Sequence, residues 1–415
     1  MRASLLANGS FTRFWLGETA TVLAYQMLVV AVSWQMYELT DSALNLGLIG
    51  LVQVTPYFLF VLWAGHVADV HDRRRVALAA QLIQLAVAAG YAVASFADML
   101  TPALIYGGSF LIGTAQAFQS PSVRALLSSL VDREVLSQAL AWSSASRKAG
   151  VIAGPAIGGL VYLAGPSHVY TLSAVLFVVA GVLFTLIPAQ RQANLREAPH
   201  LSSIWAGVSY IRRTPVVLGA ITLDLFATLI GGATALLPIY ARDILEMGPS
   251  GLGVLRSAPA VGALIASVVL VWLPLQRAVG RTMFVSVAIF GIATIVFGLS
   301  RWFPLSLVAL MIMGAADMVS VVIRVSLVQL DTPDEMRGRV SAVFSLSTST
   351  SNQLGQFQSG VTAALLGTVP AVVLGGVGAL LIVAWWKRLF PVLYERETLA
   401  SRPLFEETPE RERAA

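Results

Sequence analysis

The sequence predicts an all-α integral membrane protein with twelve transmembrane helices, arranged as two parallel six-helix pseudo-repeats. Three observations lead to this prediction. Hydrophobic residues make up 57% of the 415 positions and charged residues only 12%, whereas roughly a quarter of an ordinary soluble domain is charged. The apolar residues form runs long enough to cross the ~30 Å hydrocarbon core as helices. Segments of the second half also repeat segments of the first, at spacings of 200, 201 and 206 residues.

Polar breaks in the chain separate these apolar runs, each of at least about 18 residues. The runs lie at 12–38, 43–67, 76–97, 102–130, 138–163, 168–188, 215–240, 251–274, 282–299, 303–330, 340–365 and 369–390. The longest polar interruption follows the sixth run. We therefore predict an N-terminal six-helix bundle (1–188), a cytoplasmic linker (189–214) with a surface-lying amphipathic segment (201–211), a C-terminal bundle (215–390) and a disordered cytoplasmic tail (391–415).

The arginines predict the orientation in the membrane. Loops on the side of the two termini hold most of them, whereas the opposite loops hold only Arg242 and Arg301. By the positive-inside rule, both termini and the linker are cytoplasmic. The first ten residues lack the pattern of a removable signal peptide. We expect a multi-pass protein of the bacterial inner membrane that functions as a monomer in the lipid bilayer.

Several function classes are excluded by composition. The chain has no cysteine and four scattered histidines, so we expect no thiol chemistry, no metal and no cofactor. The sequence pI near 9.7 reflects basic groups at span ends, so nucleic acid is not an expected partner. No phosphate-binding loop ends in Gly-Lys-Ser/Thr, and no hydrolytic constellation is present. We therefore expect a protein that is not an enzyme and whose energy source is an ion gradient, the alternative being passive transport.

Internal repetition indicates where a ligand would bind. Residues 122–130 align with 322–330, residues 154–159 with 355–360, and residues 46–48 with 252–254. The second half is thus a displaced copy of the first in the same orientation. In transporters built this way, the substrate site lies between the halves near the middle of the membrane.

The loop after the second run carries the first family resemblance. It holds Gly65, Asp69 and the basic triplet of Arg73, Arg74 and Arg75, and it resembles the loop between spans two and three in the major facilitator superfamily. Val70 and Asp72 depart from the family pattern. The resemblance implies the major facilitator fold. It also implies that Asp69 faces the N-terminal end of span eleven and that the arginines bridge to acids such as Asp132, which latches the cytoplasmic side shut.

Span five carries a second resemblance. Gly150, Gly154, Pro155, Gly158 and Gly159 leave one helical face without bulky side chains, which by itself is equally consistent with plain helix packing. The run resembles the antiporter motif of exporters in the superfamily, and that resemblance implies export. The second-half copy has Gln356 in place of the proline.

Three further stretches, at 37–42, 231–238 and 332–340, are similar to the branch that includes the enterobactin exporter and the macrolide-efflux-like secretion transporters. The resemblance covers residues 14–386. It implies a secondary active exporter that moves a small amphiphilic molecule, such as a siderophore or drug, in exchange for protons. The alternatives are a lipid or lysolipid transporter, an importer of the same fold, and a transporter-like receptor or scaffold that does not transport.

Charged residues inside the spans are candidates for coupling, because an ionisable group at bilayer depth usually faces a cavity or a partner. Asp224, Glu18 and Asp317 are our proton-coupling candidates, with Asp224 preferred for its depth. Glu18 and Asp224 are related by the 206-residue repeat. The alternative is a structural ion pair with an arginine of span four, five or ten. Arg256 in span eight is expected to pair with an acid such as Asp41 or Asp243.

Polar and aromatic residues within the spans predict the wall of a substrate cavity. The candidates are Tyr25, Gln26, Gln35, Arg124, Arg147, Phe226, Arg324, Asn352 and Gln356. For Arg147, an alternative is that the side chain reaches the cytoplasmic headgroups. For Phe226, plain packing is equally consistent with the sequence.

Overall fold

The computed structural model describes residue 5 and residues 8–188, 201–275 and 277–399, and these are helical without any strand. The side chains of a few helical residues, including Asp69, lie outside this description. So do the first part of the predicted linker and the tail beyond residue 399. The first half contains six long helices: α1 (Gly9–Thr40), α2 (Ala43–Val70), α3 (Arg73–Phe96), α4 (Pro102–Leu130), α5 (Leu136–Val161) and α6 (Pro166–Thr185).

The second half begins after a helix that occupies the end of the predicted linker. Its elements are α7 (Leu201–Arg213), α8 (Pro215–Ile230), α9 (Leu237–Ile239), α10 (Gly248–Trp272), α11 (Val279–Leu299), α12 (Phe303–Leu330), α13 (Asp334–Leu366), α14 (Thr368–Leu389) and α15 (Pro391–Tyr394). α7 ends in Arg212 and Arg213, which suit the negative end of a helix dipole.

Nine helical segments of the described chain are long and apolar enough to cross a membrane. The protein is therefore a multi-pass membrane protein. α4, α5 and α13, of 29, 26 and 33 residues, are also long enough to cross a membrane. They are too polar to be among the nine. Polar residues of α4 and α13 line a cavity described below, and Arg147 of α5 lines a side pocket, which explains why hydropathy alone underrates these helices.

The same packing pairs occur in both halves. In the first half, α1 packs on α5 and α6, α2 on α4, and α3 on α4 and α6. In the second half, α8 packs on α13 and α14, α10 on α12, and α11 on α12 and α14. Contact between the halves is made chiefly by α2 with α13 and by α5 with α10.

Short turns alternate between the two ends of the bundle. We call the end with Asn8 and the turns at 71–72, 131–135 and 331–333 the base, and the end with the turns at 41–42, 97–101 and 162–165 the crown. At the base, the Asn8 side chain caps α1 by accepting from the N–H groups of Ser10 and Phe11. At the crown, Gly165 and Gly367 have φ values of 114° and 91°. Only glycine adopts such values readily, so these residues end one helix and start the next in corresponding places of the two halves.

The predicted seventh span is interrupted. α8 ends at Ile230, and a 3-10 turn, α9 and a π turn follow it. The break lies at Gly231 and Gly232, where α13 approaches closely, because a Cβ atom on Gly232 would lie 2.7 Å from the carbonyl oxygen of Gly355. Apolar content alone predicts a continuous span, but it does not register this close approach of two backbones.

The first part of the tail packs on the base. Arg396 forms an ion pair with Asp331 at the end of α12, with 2.9 Å between Nη2 and Oδ1. The carbonyl oxygens of Arg396 and Glu397 accept hydrogen bonds from Gly280 and Val279 at the start of α11. Burial raises the pKa of the Asp331 carboxyl, and the guanidinium of Arg396 opposes that rise. Residues 391–399 of the predicted disordered tail are thus ordered against the bundle.

Candidate functional site

A cavity of about 660 Å³ lies between the two halves, bounded by α1, α2, α4 and α13. It extends from Tyr25 in the middle of α1 to Gly65, Arg124 and Gly338 near the base. Arg124 and Gly338 are exposed, so the cavity is accessible from the base. Polar side chains of α13 line one wall; they are Ser341, Ser345, Ser349, Asn352 and Gln353.

The upper lobe of the cavity is a smaller space of about 70 Å³ toward the crown. It shares Tyr25, Gln53 and Gln353 with the main cavity and adds Arg256 and Gln356. Apolar residues complete its lining, including Leu28, Val32, Ile49 and Ile112. Polar groups at one point and apolar walls around them are the usual composition of a small-molecule site.

Close helix packing closes the crown above this lobe. A Cβ atom on Gly47 of α2 would lie 2.9 Å from the Cα atom of Gly360 of α13, and one on Gly159 of α5 would lie 3.0 Å from the Cα atom of Gly253 of α10. Side chains at these positions would not fit. The two halves therefore touch backbone to backbone at the crown.

Polar contacts across the crown add to this closure. Arg242 forms an ion pair with Asp41, 2.7 Å between Nη1 and Oδ1, and its guanidinium lies 5.3 Å from the centroid of the Tyr37 ring. The Tyr37 hydroxyl donates a hydrogen bond to Asp243. The expectation that Arg256 pairs with one of these acids is wrong, because Arg242 and Tyr37 bind both carboxylates.

The glycines of span five serve two helix interfaces. Gly150, Gly154 and Gly158 pack on α1, where a Cβ atom on Gly154 would lie 2.5 Å from the Cβ atom of Gln26. Pro155 and Gly159 pack on α10 of the other half. One run of small residues thus fixes α5 to its own half and also brings it against the opposite half.

We expect Gly154→Leu to abolish transport while the amount of protein in the membrane stays near that of the wild type. The larger side chain would push α1 away from α5 and displace Tyr25 from the cavity. Transport and membrane abundance should be measured in parallel with the control Gly107→Leu, since a Cβ atom on Gly107 meets no atom within 4 Å. Normal transport by Gly154→Leu would show that the close packing on α1 is dispensable.

The C-terminal half contains a buried charge cluster beside the cavity. Arg324 is 2% exposed and pairs with Asp224, with 2.6 Å between Nη1 and Oδ1. Asp224 also accepts hydrogen bonds from the hydroxyls of Thr228 (3.2 Å) and Thr348 (3.5 Å). Two small pockets adjoin this pair, and Asp317 lines both of them together with Asp224 and Arg324. Within the described chain Asp317 forms no ion pair.

The N-terminal half contains a different arrangement. Glu18, related to Asp224 by the repeat, accepts hydrogen bonds from Arg147 and Ser143 of α5. It lies in a side pocket of about 190 Å³ that also contains Gln26. Arg124, related to Arg324 by the repeat, is not its partner and faces the main cavity instead. The two acids are therefore pseudo-symmetric in sequence but have partners on different helices.

The predicted cavity residues separate into groups. Tyr25, Arg124 and Asn352 line the main cavity and Gln356 its upper lobe, while Gln26, Arg147 and Arg324 line the side pockets. Gln35 and Phe226 line none of these spaces. Gln35 accepts a hydrogen bond from Tyr170 at 2.7 Å, and Phe226 packs on Trp386 with ring centroids 5.2 Å apart.

Sequence reasoning missed several lining residues, namely Gln53, Tyr57, Gln116, Ser120 and the serines of α13. Ser341, Ser345 and Ser349 are four residues apart, which places them on one helical face. That spacing, within a helix that is too polar to be a lipid-facing span, is the signal that could have identified them.

The predicted latch residues lie at the base. Gly65 lines the cavity. Arg73 donates to the carbonyl of Ala125, Arg74 to those of Thr185 and Ile187, and Arg75 pairs with Asp72. Among the described ion pairs, none joins these arginines to Asp132. In this conformation they contact their own half of the molecule. The side chain of Asp69, predicted to face the N-terminal end of span eleven, lies outside the described residues.

Comparison with known proteins identifies the class of this protein. The model of a family described as transmembrane secretion effectors matches residues 3–412. The chain belongs to this family. It is therefore a transporter of the major facilitator superfamily, as the motifs of the sequence predicted.

Relatives of this chain include the enterobactin exporter of Shigella boydii serotype 18, which is 27% identical over 392 residues and 91% of each chain. A solved bacterial homologue of the human lysosomal transporter Spinster, inward-facing and unoccupied, matches with a TM-score of 0.73 and 11% identity over 95% of this chain and 97% of that one. An inward-facing bacterial homologue of the iron transporter ferroportin has a TM-score of 0.71 and 16% identity, over 95% of this chain and 100% of that one. These two structures show the shared fold.

Proposed function

We propose that this protein is a secondary active exporter that moves a small amphiphilic organic molecule, a siderophore or drug, by alternating access. In this proposal twelve helical segments span the membrane as two six-helix halves. The main support for this proposal is the cavity of about 660 Å³, which is accessible from the base while contacts between the halves close the crown. A substrate would enter from the base, and separation of the crown would release it on the other side.

The proposal requires the base to face the cytoplasm. Arg73, Arg74, Arg133, Arg337 and Arg339 all lie there, and the positive-inside rule places such a cluster on the cytoplasmic side. A cavity loaded from the cytoplasm fits an exporter. The relationship to an enterobactin exporter supports the same direction.

Export of enterobactin itself gives a direct test. This chain would be expressed in an Escherichia coli strain that lacks its own enterobactin exporter, and enterobactin in the medium would be measured. We expect secretion to rise above that of the empty vector. Two negative results together would contradict export. One is secretion equal to that of the empty vector, and the other is no proton-driven uptake by everted vesicles of either enterobactin or the anionic dye fluorescein.

Proton exchange is the coupling that we propose, with Asp317 as the carrier of the proton. Asp224 and Glu18 are each held in an ion pair with an arginine, Arg324 and Arg147 respectively. Asp317 lies beside the Asp224–Arg324 pair without an ion pair of its own in the described chain. A carboxyl group in that position can change protonation without breaking a buried ion pair. We therefore prefer Asp317 to Asp224 as the proton carrier.

We expect Asp317→Asn to bind and exchange substrate but to lose uphill accumulation, because asparagine keeps the shape of the protonated acid and cannot release a proton. Everted vesicles with an imposed pH gradient provide the measurement. The matched control is Asp98→Asn at the crown, since Asp98 is exposed and has φ 52°, which asparagine tolerates. If Asp317→Asn still drives uphill transport, coupling through Asp317 is wrong.

A further inference from the structure

The central cavity has arginines in its lining and no acid. Arg124 lines its lower part and Arg256 its upper lobe. Neither forms an ion pair among the residues that the structure describes, and no aspartate or glutamate lines either space. For Arg256, inside span eight, the lack of an acid is unusual, because an intramembrane charge normally has a partner.

Arg256 lies at the closed end of the cavity. It extends from α10 into the upper lobe beside Tyr25, Gln53 and Gln356. Tyr25 lines the same lobe, and its phenol carries no charge at neutral pH. A guanidinium removed from water without a counter-ion is destabilising, so a negative group that arrives with the substrate would remove this penalty.

The acids of the neighbouring pockets are not available to Arg256. Glu18 is bound by Arg147, and Asp224 is bound by Arg324. Asp317 lies with the latter pair in pockets of the C-terminal half. The carboxylates of the spans are thus kept apart from the space where a substrate would bind.

Gln353 supplies a second polar feature. Its Oε1 atom is buried and has no hydrogen-bond partner in the described part of the chain, and the residue lines both the main cavity and the upper lobe. A buried acceptor without a donor is costly. A hydroxyl or N–H group of a ligand would satisfy it.

We propose that the cavity binds an organic anion, with its negative group on Arg256 and a hydroxyl or N–H group on Gln353. Guanidinium forms two parallel hydrogen bonds to a carboxylate or a similar planar anion. Leu28, Ile49 and Ile112 of the upper lobe would contact an apolar ring system of the same molecule. This inference rests on the proposed export function, since it names the substrate class of that site.

Two dyes that share a ring system and differ in charge test the proposal. The purified protein would be placed in nanodiscs of neutral phosphatidylcholine, which removes anionic lipid as a competing ligand. Binding of anionic fluorescein and cationic rhodamine 123 would be followed by fluorescence polarisation. Variants Arg256→Gln and Arg256→Lys would be compared with Arg301→Gln, which removes an exposed arginine at the crown.

We expect the wild type to prefer fluorescein and Arg256→Gln to weaken its binding by about tenfold or more, as the loss of a charged hydrogen bond implies. Arg256→Lys should retain part of the affinity, and Arg301→Gln all of it. Arg256→Gln should leave the melting temperature unchanged or raised, because it removes a partly buried charge that has no ion-pair partner in the described chain. A purely structural role of Arg256 would lower it.

Three results would overturn the proposal: no binding of fluorescein by the wild type, equal or tighter binding of rhodamine 123, or fluorescein affinity that Arg256→Gln does not change. The outcome is separate from that of the export proposal. Binding that depends on Arg256 without any transport would retain the anion site and end the export proposal. Transport that does not depend on substrate charge would retain the export proposal and end the proposal of an anion site.

Discussion

Replacing Asp224 with asparagine should lower the free energy of unfolding by about 3–5 kcal/mol, the usual effect of removing one partner of a buried ion pair. The side chains of Arg324 and Asp224 are 2% and 6% exposed, so water cannot replace the lost carboxylate. Nε of Arg324 already has no acceptor among the described residues. Arg324→Gln should be destabilising for the same reason.

Steric trapping or thermal unfolding in detergent would measure both effects. The double variant Asp224→Asn/Arg324→Gln should lose less stability than the sum of the single variants, because neither charge is then left alone. Arg337→Gln is the control. It removes one member of the Arg337–Asp334 pair, whose side chains are 47% and 81% exposed, and exposed pairs contribute little. Wild-type stability of Asp224→Asn would contradict the structural role of this pair.

Gly253→Leu should abolish transport and hold the crown apart while leaving the protein inserted in the membrane. Gly253 lies against Gly159 and Pro155 of the opposite half, and a Cβ atom on Gly253 would lie 3.1 Å from the Cα atom of Gly159. A leucine there has no space unless the two halves separate at the crown. Gly159→Leu, on the facing helix, should have the same effect.

Transport assays, with size-exclusion profiles as the measure of folding, would test this expectation. Gly90→Leu is the matched control, because Gly90 lies in a long helix and a Cβ atom on it meets nothing within 4 Å. Its transport should equal that of the wild type. Normal transport by Gly253→Leu would mean that the α5–α10 contact is not part of the closed crown.

The helices could be predicted from the sequence because their signal is local. An apolar run between polar breaks is a property of the run itself, and the predicted run at 303–330 coincides with α12. The break in the predicted seventh span could not be predicted from apolar content, since the close approach of Gly232 to Gly355 joins two distant parts of the chain. The family motifs of the loops and of the glycine run could be recognised because they too are short, local stretches of sequence.

The partners of the charged residues could be predicted only in part. The repeat related Glu18 to Asp224 and Arg124 to Arg324, which suggests the same pairing in both halves. The structure pairs Asp224 with Arg324 but Glu18 with Arg147. Which side chain reaches which acid depends on helix rotation and rotamers, and neither leaves a periodic signal in the sequence.

Gln35 illustrates the same limit. A polar residue in an apolar span needs a partner, and the sequence does not say whether water in a cavity or another side chain supplies it. Here the partners are Tyr170 and Ser95, so the side chain is satisfied inside its own half. The missed serines of α13 are the opposite case, since their spacing carried a signal that single residues did not.

The proposed mechanism depends on alternation between a closed crown and a closed base, and distances between spin labels measure this alternation. The chain has no cysteine, so pairs of labels can be introduced without background. Glu134 and Glu335 report on the base, and Met99 and Trp302 on the crown; all four are exposed. On addition of a transported substrate, we expect the distance across the base to shorten and the distance across the crown to lengthen. Two distances that stay unchanged with and without that substrate would contradict it.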